Sequence, residues 1–545
     1  MVSTFHGLET AKRGMNTQQS ALYVTGQNIS NANTLGYTRQ RVNFEATPAY
    51  PAAAMNRPQI PGQMGTGVQA GSIQRVRESF IDQQYRGENN KFGYWSTKAE
   101  SLAKLEDIMN EPSDSGLSAA MGQFWQALQD LSANPENDGA RSVVIQRGKA
   151  VAETFHYLND SLKGVQKALG NEIGVSVKNL NSILEQIANV NKQISEIEPH
   201  GYVPNDLYDE RDRLVDELST YVDIKIDVEK SGGNPSKIAE GIYNIKLVNK
   251  DGSEGPPLID GSTPHYIEIT GGDISDPKSG IKDKVPTNDS IVTLEVNGKQ
   301  INIEDFSQGK IRGLIEGYGY EDSTGELKGT YPKMLDDLDK LAFTFGTLFN
   351  AVHKQGYTLN QKADGTYDIG GEFFSGLGTD YKGAASNIDV PDSLKNKDIA
   401  ASGPNGEAGN GLNALNLGKV QNINLNDLLA GKDITLEGGI VLNIGAITGF
   451  NKDNYFESGT IGTNYQSIIG TLGVDAQQAN RLTTNSGNLL QSVDERRQSV
   501  SAVSIDEEFI NMIKYQQAYN ASARNITIVD EMLDKIINGM GLGGR

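Results

Sequence analysis

The chain has 545 residues, enough for several domains because a single hydrophobic core stops growing at roughly 250–300 residues. Its formal net charge of −20 gives the whole chain no electrostatic footprint for nucleic acid, and the absence of cysteine excludes disulfides and thiolate metal sites. No apolar run reaches the roughly 18 residues of a membrane-spanning helix, and the N-terminal segment lacks the apolar core of a cleaved signal peptide.

The charge is distributed unevenly along the chain. Residues 1–99 hold ten Lys/Arg and five Asp/Glu, a local excess of +5. Runs of five or more Lys/Arg are typical of nucleic-acid or heparin patches, and no such run occurs in this sequence. The basic region is therefore predicted to contact acidic surfaces of neighbouring subunits, with neither nucleic acid nor membrane as a partner.

The first predicted element is a helix over 3–31 whose large apolar residues recur at a strict spacing of seven. The same repeat returns at the other end of the chain. Such a repeat is typical of a helix whose apolar seam packs against another helix in a left-handed supercoil. The predicted coiled-coil seam, and hence the candidate assembly site, consists of Leu8, Met15, Leu22, Ile29, Met512, Tyr519, Ile526, Leu533 and Met540.

Further helices are predicted over 78–110, 138–198 and 206–221, with a short helix ending near residue 134. In the longest of them the apolar residues alternate steps of four and three. Two steps of four fall together at Leu169, Ile173 and Val177, which makes a stutter that locally unwinds a supercoil. Because Gly170 and Gly174 lie at the same place, a bend or looser packing is expected there.

From about residue 222 to 456 the apolar pattern changes to a period of two, which is typical of β-strands. The clearest unit is centred on Asn297-Gly298, a dipeptide that favours a type I′ hairpin turn. The pairs expected on one face of this hairpin are Leu294 with Ile301 and Val292 with Ile303. A helix over 331–353 interrupts the strands, and helix returns after residue 465.

The predicted fold is therefore multidomain α + β, with terminal coiled-coil helices, a long helical bundle and an inserted β-rich domain or domains. The predicted units are a terminal core of 1–70 with 510–545, a helical rod of 71–225 with 457–509, and an outer insertion of 226–456. The terminal core is expected to be disordered in a free monomer, because a lone seam buries too little apolar surface to offset its ordering entropy.

Residue patterns that could support chemistry are weak. The five histidines are not at metal-ligand spacing, and we interpret them as surface or helix-end residues. The glycines of 62–71 lack the strand, helix start and lysine of a phosphate loop, and no Gly-x-Ser-x-Gly elbow occurs. The sequence predicts no catalytic, cofactor-binding or metal site, and no enzyme.

Asp209, Asp212 and Asp216 share one helix face, which could suggest a divalent metal site. Arg211 and Arg213 are interleaved with them, and carboxylates on a solvated helix commonly pair with such neighbours. We therefore interpret the aspartates as one side of ordinary surface ion pairs.

Several segments resemble the bacterial flagellar axial proteins, the family of rod, hook and hook-associated proteins. Residues 30–41 are similar to the family signature Asn-x-x-Asn-x-x-Thr-x-Gly-Tyr, with a departure where one asparagine directly precedes the threonine. The residues matched to this signature are Asn31, Asn33, Thr34, Gly36 and Tyr37. Residues 512–521 resemble the shared C-terminal segment, whereas 110–117 and 209–219 resemble the hook-associated members that join hook to filament.

The resemblance implies a structural protein that assembles into a ring between hook and filament. It implies as partners identical subunits, the hook protein, a second hook-associated protein on the filament side and an export chaperone on the C-terminal helix. It implies type III export to the extracellular flagellum without a cleaved signal, which suits a chain without cysteine. No cofactor is implied. The alternatives are a hook or rod component, or an adhesin or enzyme housed in the β-rich insertion.

Overall fold

The computed structural model describes residues 5–52, 54–55, 62–109, 111, 113–114, 116–270, 281–282, 293–363, 365–403, 406–447 and 450–539. The α-helices are α1 (Phe5–Ser30), α2 (Ser79–Met109), α3 (Leu117–Ala133), α4 (Asp138–Ile197), α5 (Asn205–Tyr221), α6 (Lys310–Tyr318), α7 (Thr330–His353), α8 (Ala384–Asn387), α9 (Leu412–Lys419), α10 (Leu425–Leu429), α11 (Ile461–Ser501) and α12 (Ile505–Gly539). Short 3-10 helices cover Glu198–His200, Asn396–Asp398, Val420–Asn422, Glu437–Gly439, Ile444–Ala446 and Lys452–Asn454. None of the described helices is long and apolar enough to cross a membrane.

The strands are short and lie between the helices. They are β1 (Gln40–Ala46), β2 (Val68–Arg75), β3 (Ile224–Glu229), β4 (Ile242–Val248), β5 (Glu254–Asp260), β6 (Thr263–Pro264), β7 (Ile267–Thr270), β8 (Ile281–Lys282), β9 (Thr293–Val296), β10 (Lys299–Ile301), β11 (Tyr320–Glu321), β12 (Leu327–Lys328), β13 (Tyr357–Gln361), β14 (Tyr367–Ile369), β15 (Ile434–Thr435) and β16 (Val441–Leu442). Long helices combined with small sheets confirm the predicted multidomain α + β class.

The longest element, α4, is a single helix of 60 residues, about 90 Å long at a rise of about 1.5 Å per residue. Asn137 caps its start, because its side-chain oxygen accepts hydrogen bonds from the N–H groups of Gly139 (2.8 Å) and Ala140 (3.2 Å). With α2, α5 and α11 it forms a set of packed helices, hereafter the helical bundle. The predicted helix over 138–198 is confirmed.

The stutter of α4 is packed as tightly as the rest of its buried face. Leu169 is 2% exposed, and Ile173 and Val177 are fully buried. The helix α6 covers this stretch, where the Gln166 side chain donates a hydrogen bond of 2.8 Å to the carbonyl oxygen of Tyr318. The expectation of looser packing is wrong, because α6 fills the space beside the stutter.

The region predicted as β-rich contains more helix than expected. Two sheets have four strands, in the orders β3-β4-β5-β6 and β10-β9-β7-β8, and the remaining described sheets have two. The helix α7 packs against α4 and α11. Its Phe345 and Phe349 rings lie 5.9 and 5.2 Å from the ring of Phe124 in α3, measured between centroids. The 331–353 helix thus belongs with the other long helices, around an aromatic core.

The hairpin of β9 and β10 has the predicted geometry. Leu294 lies opposite Ile301, and the turn residues Asn297 and Gly298 have φ angles of 52° and 75°. Positive φ at both central positions defines a type I′ turn, which Asn-Gly adopts at little cost. The prediction is confirmed for Leu294 with Ile301, whereas Val292 lies outside the described residues.

Asparagine side chains of α4 attach the sheets to it by pairing with strand backbone. Asn191 donates to the carbonyl oxygens of Tyr243 and Gly261, both at 2.8 Å, and accepts from the N–H of Tyr243 at 3.3 Å. Asn181 pairs with both backbone groups of Ile267, at 2.8 and 2.9 Å. Each side-chain amide takes the place of a neighbouring strand, so α4 holds both four-stranded sheets.

The histidine at the end of α7 is buried in the core. His353 is fully buried, its Nδ1 lies 2.9 Å from the carbonyl oxygen of Gly371, and its Nε2 accepts the N–H of Ala400 at 2.9 Å. This arrangement requires the neutral ring with its proton on Nδ1. Burial lowers the pKa of His353 to about 4, and the hydrogen bond to Gly371 opposes that only in part.

The buried histidine makes stability depend on pH. In the unfolded chain His353 binds a proton below about pH 6.5, but in the folded chain only below about pH 4. Stability therefore falls as pH decreases through this window, by about 3 kcal/mol in total. Chemical denaturation at pH 7, 6 and 5 should show a smaller pH-dependent loss in His353→Gln, whose side chain does not titrate. An equal loss in both proteins would contradict this account.

Candidate assembly site

The first and last helices lie side by side and run antiparallel. A methyl group built on Gly7 would lie 3.6 Å from Val529 Cγ2, and one built on Gly14 would lie 3.2 Å from Ser522 Oγ. Further along, Asn28 Nδ2 donates to Glu508 at 3.2 Å. These contacts are spaced by multiples of seven on both helices, so α1 and α12 meet along a contact line in heptad register, with Gly7 and Gly14 on its α1 side.

The predicted seam residues occupy other heptad positions than the contacts named above. In α1 the seam residues lie one position after contacting residues of α1. In α12 the seam residues lie four positions after contacting residues of α12. The described members, all half-buried, are Leu8, Met15, Leu22, Ile29, Met512, Tyr519, Ile526 and Leu533. Met540 lies outside the described residues. Sequence reasoning missed the contact line, although its small residues at the same spacing of seven were visible.

The helix α12 exposes a large apolar surface. Ile510 and Ile537 are 66% and 73% exposed, although both are aliphatic. The exposed large apolar residues of this helix are Ile505, Phe509, Ile510, Ile513, Ile528, Met532, Ile536 and Ile537. Four of them lie within 505–513 and four within 528–537, and exposed apolar residues grouped in this way are typical of docking sites.

Asn28 is the polar centre of the terminal helix pair, and sequence reasoning did not select it. It is 1% exposed. Its Nδ2 donates to the Gln40 carbonyl oxygen at 2.8 Å, while its Oδ1 accepts from the Gln40 N–H at 3.0 Å and from the Tyr37 hydroxyl at 2.9 Å. One side chain thus joins α1, β1 and, through Glu508, α12.

The matched signature residues form the turn that follows α1. The Thr34 hydroxyl donates to Asn31 Oδ1 at 3.1 Å, and Gly36 has a φ of 83° against the side chain of Arg213. Asn33 is exposed. Counted from Asn28, the signature Asn-x-x-Asn-x-x-Thr-x-Gly-Tyr fits without a departure, so the spacing itself was the signal that could have identified Asn28.

Arg39 bridges the break between α11 and α12. Its N–H donates to the carbonyl oxygen of Ser501, the last residue of α11, at 2.9 Å. Its guanidinium contacts Glu508 at 2.8 Å and Glu507 at 2.7 Å, both in the first turn of α12. Acidic residues at a helix start are favoured by the helix dipole, and Arg39 fixes this start against β1.

The elements α1, β1, β2 and α12, hereafter the terminal module, join the helical bundle through buried ions. Arg75 of β2 contacts Asp209 at 2.7 Å and Asp212 at 2.9 Å. Arg86 of α2 and Arg497 of α11 contact Asp216 at 2.7 and 2.5 Å. The whole group, hereafter the charge cluster, consists of Arg75, Arg77, Arg86, Arg211, Arg497, Asp82, Asp209, Asp212, Asp216 and Glu240.

The interpretation of the α5 aspartates as surface ion pairs is wrong. Asp212 is 2% exposed and Asp209 7% exposed, and their ion-pair partners come from β2, α2 and the segment between them. Arg213 instead pairs with Glu210 and Glu217 on the outer face of α5. Among the described residues, no group of His, Cys, Asp or Glu is arranged to hold a metal ion.

Opposing effects set the charge of Asp212. Burial raises the pKa of this carboxyl, but the guanidinium groups of Arg77, Arg75 and Arg86 outweigh burial and hold the pKa well below its usual range. For Asp209 the balance is reversed, and burial raises its pKa against the effect of Arg75. Asp212 is therefore the permanently ionised centre of the charge cluster.

Comparison with known proteins gives full-length matches to proteins named flagellar hook-associated protein 1. The chain is 43% identical to the one from Bacillus subtilis over 552 residues, covering 100% of both chains. It is 26% identical to the one from Salmonella typhimurium over 590 residues, covering 97% of this chain and 98% of that one. For Escherichia coli the identity is 25% over 589 residues, with 97% and 99% covered.

Family models divide the chain into three matched parts. Residues 102–374 match the flagellar hook-associated protein FlgK helical domain. Residues 8–38 match the flagella basal body rod protein family, and 488–539 match the flagellar basal body rod FlgEFG protein C-terminal family. The last two matches cover most of α1 and all of α12, the helices of the terminal module, together with the turn after α1 and the end of α11.

A solved structure also matches, that of the flagellar hook junction protein FlgK from Burkholderia pseudomallei. It aligns with a TM-score of 0.54, covering 77% of this chain and 100% of that one, at 14% sequence identity. At that identity the likeness establishes the fold alone.

The glycine contact line predicts a large effect of side-chain size at one face of α1. Gly14→Val adds three carbons where a single methyl group would already lie 3.2 Å from Ser522, so we expect overpacking to cost about 1–3 kcal/mol. Hydrogen exchange measured by mass spectrometry should show less protection of α1 and α12. Gly26→Ala is the matched control, since nothing lies within 4 Å of its added methyl group. Equal exchange in both variants would show that Gly14 does not form the contact.

Proposed function

The chain belongs to the flagellar hook-associated protein 1 family, and from that premise we propose that it forms the junction between the hook and the filament of the bacterial flagellum. The chain is a structural flagellar component and not an enzyme. The single observation that carries the finer proposal is the full-length match to hook-associated protein 1, since rod-family models match only the chain ends.

Assembly is proposed to proceed through the terminal module. Its apolar surplus supports this, because the α1–α12 contact uses glycines and polar groups and leaves the apolar rows half-buried or exposed. Identical subunits would cover these rows in a ring, with the predicted seam from Leu8 to Ile29 and from Met512 to Leu533 as the contact. A free subunit would hold its terminal helices loosely. Each Å2 of apolar surface removed from water contributes about 25 cal/mol of stability, and the terminal helices would bury the rest of their apolar surface only on docking.

The three predicted units are proposed to have separate roles. The terminal core of 1–70 with 510–545 would be the docking unit, and the helical rod of 71–225 with 457–509 would form the next layer. The insertion of 226–456, apart from α7, would face the solvent. The proposed partners are the hook protein on one side, and the second hook-associated protein or filament on the other. An export chaperone would cover the apolar face of α12 before type III export to the cell exterior.

The test is deletion of the gene in its host, followed by electron microscopy of the cells and an assay of flagellin in the medium. We expect hooks without filaments and flagellin lost to the medium, both reversed by the wild-type chain. Missing hooks would instead make the chain a rod or hook component. Normal filaments would overturn the proposal and direct attention to an adhesin or enzyme role of the insertion.

A point variant extends this test to the docking face. Ile513→Asp places a charge on an α12 side chain that is 56% exposed, so folding should be little affected while docking is blocked. We expect this variant to restore few or no filaments in the deletion strain. Val228→Asp is the control, because Val228 is similarly exposed, at 59%, but lies on β3 of the insertion. Full complementation by Ile513→Asp would show that this face does not dock.

A further inference from the structure

We propose that Arg75 and Glu240 are positioning residues that fix the angle between the terminal module and the sheet β3-β4-β5-β6. This inference rests on the proposed function only in calling the terminal module the docking unit. The pair links two parts of the chain that are separated by 165 residues in sequence. When the terminal module docks, this pair would determine where the outer sheet lies.

Arg75 is the last residue of β2 and is almost fully enclosed. Its side chain is 2% exposed, and it lies over the ring of Tyr208 at 5.2 Å. Toward the insertion it forms a two-pronged pair with Glu240, with Nε–Oε1 at 3.1 Å and Nη2–Oε2 at 2.5 Å. Two parallel bonds between planar groups fix orientation as well as distance, which a single ion contact does not.

Contacts other than the one with Arg75 hold Glu240 in place. Its backbone N–H donates to the Tyr208 hydroxyl at 3.3 Å, and the next N–H, of Gly241, donates to Glu198 at 2.9 Å. Arg211 donates to the carbonyl oxygen of Gly241 at 2.5 Å and contacts the Glu240 carboxylate at 3.3 Å. The carboxylate is thus presented from a fixed loop that leads directly into β4.

The loop is packed closely against α5 and β3. The Arg211 guanidinium lies 3.4 Å from the ring centroid of Tyr243 in β4 and 5.1 Å from that of Tyr208. Gly241 has a φ of 73°, and a methyl group there would lie 2.2 Å from the carbonyl oxygen of Glu229 in β3. Glu240 is thus held to the sheet and to α5 together, so that its bond to Arg75 joins the terminal module to both.

Apolar packing does not fix this angle by itself. Among the described buried residues, Ala21, Val24 and Val42 of the terminal module form an apolar cluster separate from the main core. The module meets the bundle through polar contacts instead, such as the Thr38 N–H to Asp209 at 3.1 Å. Hydrogen bonds and ion pairs are directional, so the orientation depends on which of them are present.

The test measures orientation in the full-length chain in solution. Because the chain has no cysteine, nitroxide labels at Gln69→Cys on β2, Lys178→Cys on α4 and Thr263→Cys on β6 report unique pair distances. We expect a single narrow distance between positions 69 and 178 by double electron–electron resonance. Glu240→Ala should broaden that narrow peak while leaving the 263–178 distance unchanged. Glu240→Gln keeps only one of the two acceptor oxygens for Arg75 and should narrow the peak only in part.

Glu254→Ala is the matched control. Glu254 lies in the same sheet and contacts two cations, Lys225 at 2.5 Å and Lys246 at 2.8 Å, but neither belongs to the terminal module. An unchanged 69–178 distance in Glu240→Ala would overturn the proposal, and so would equal broadening of the 263–178 distance, which would make Glu240 a support of the sheet alone. Neither result depends on flagellar assembly, so the proposed junction role is tested separately.

Discussion

The carboxylate of Asp212 is the point on which the arrangement of the long elements depends. It lies buried among arginines contributed by β2, by the segment before α2, by α2 and by α5 itself. A buried ion of this kind adds little net stability, because desolvation offsets much of the attraction. Its contribution is positional: arginines from four segments converge on one carboxylate, which brings these segments together at one place.

In the terminal helices the contact is made by small and polar residues, and the large apolar residues are left partly exposed. Where α1 and α12 meet, glycines and a polar centre allow close approach and little apolar burial. The large apolar residues are displaced to the flanks, where in a single chain they remain in contact with water. A helix pair that reserves its apolar surface in this way is incompletely stabilised alone, because the hydrophobic contribution is proportional to area removed from water.

Local periodicity was enough to predict the helices and the β9–β10 hairpin, since spacing and turn chemistry act over a few residues. It was not enough for α5, because the arginine partners of its aspartates lie 126 to 281 residues away in sequence. It also failed at Asn28, because small and polar residues were not counted as contacts in an apolar repeat. Within the insertion α7 was predicted, whereas the short helices α6, α8, α9 and α10 were missed because short helices carry too few turns to establish a period.

The asparagines of α4 have a consequence for how the insertion can change. Asn181 and Asn191 bind the peptide groups of Ile267 and Tyr243, not their side chains. A peptide group is the same whichever amino acid carries it, proline excepted. The attachment of α4 to its sheets therefore depends very little on which amino acids the strands carry. Such an attachment lets the outer surface of the molecule diversify while the architecture beneath it stays the same.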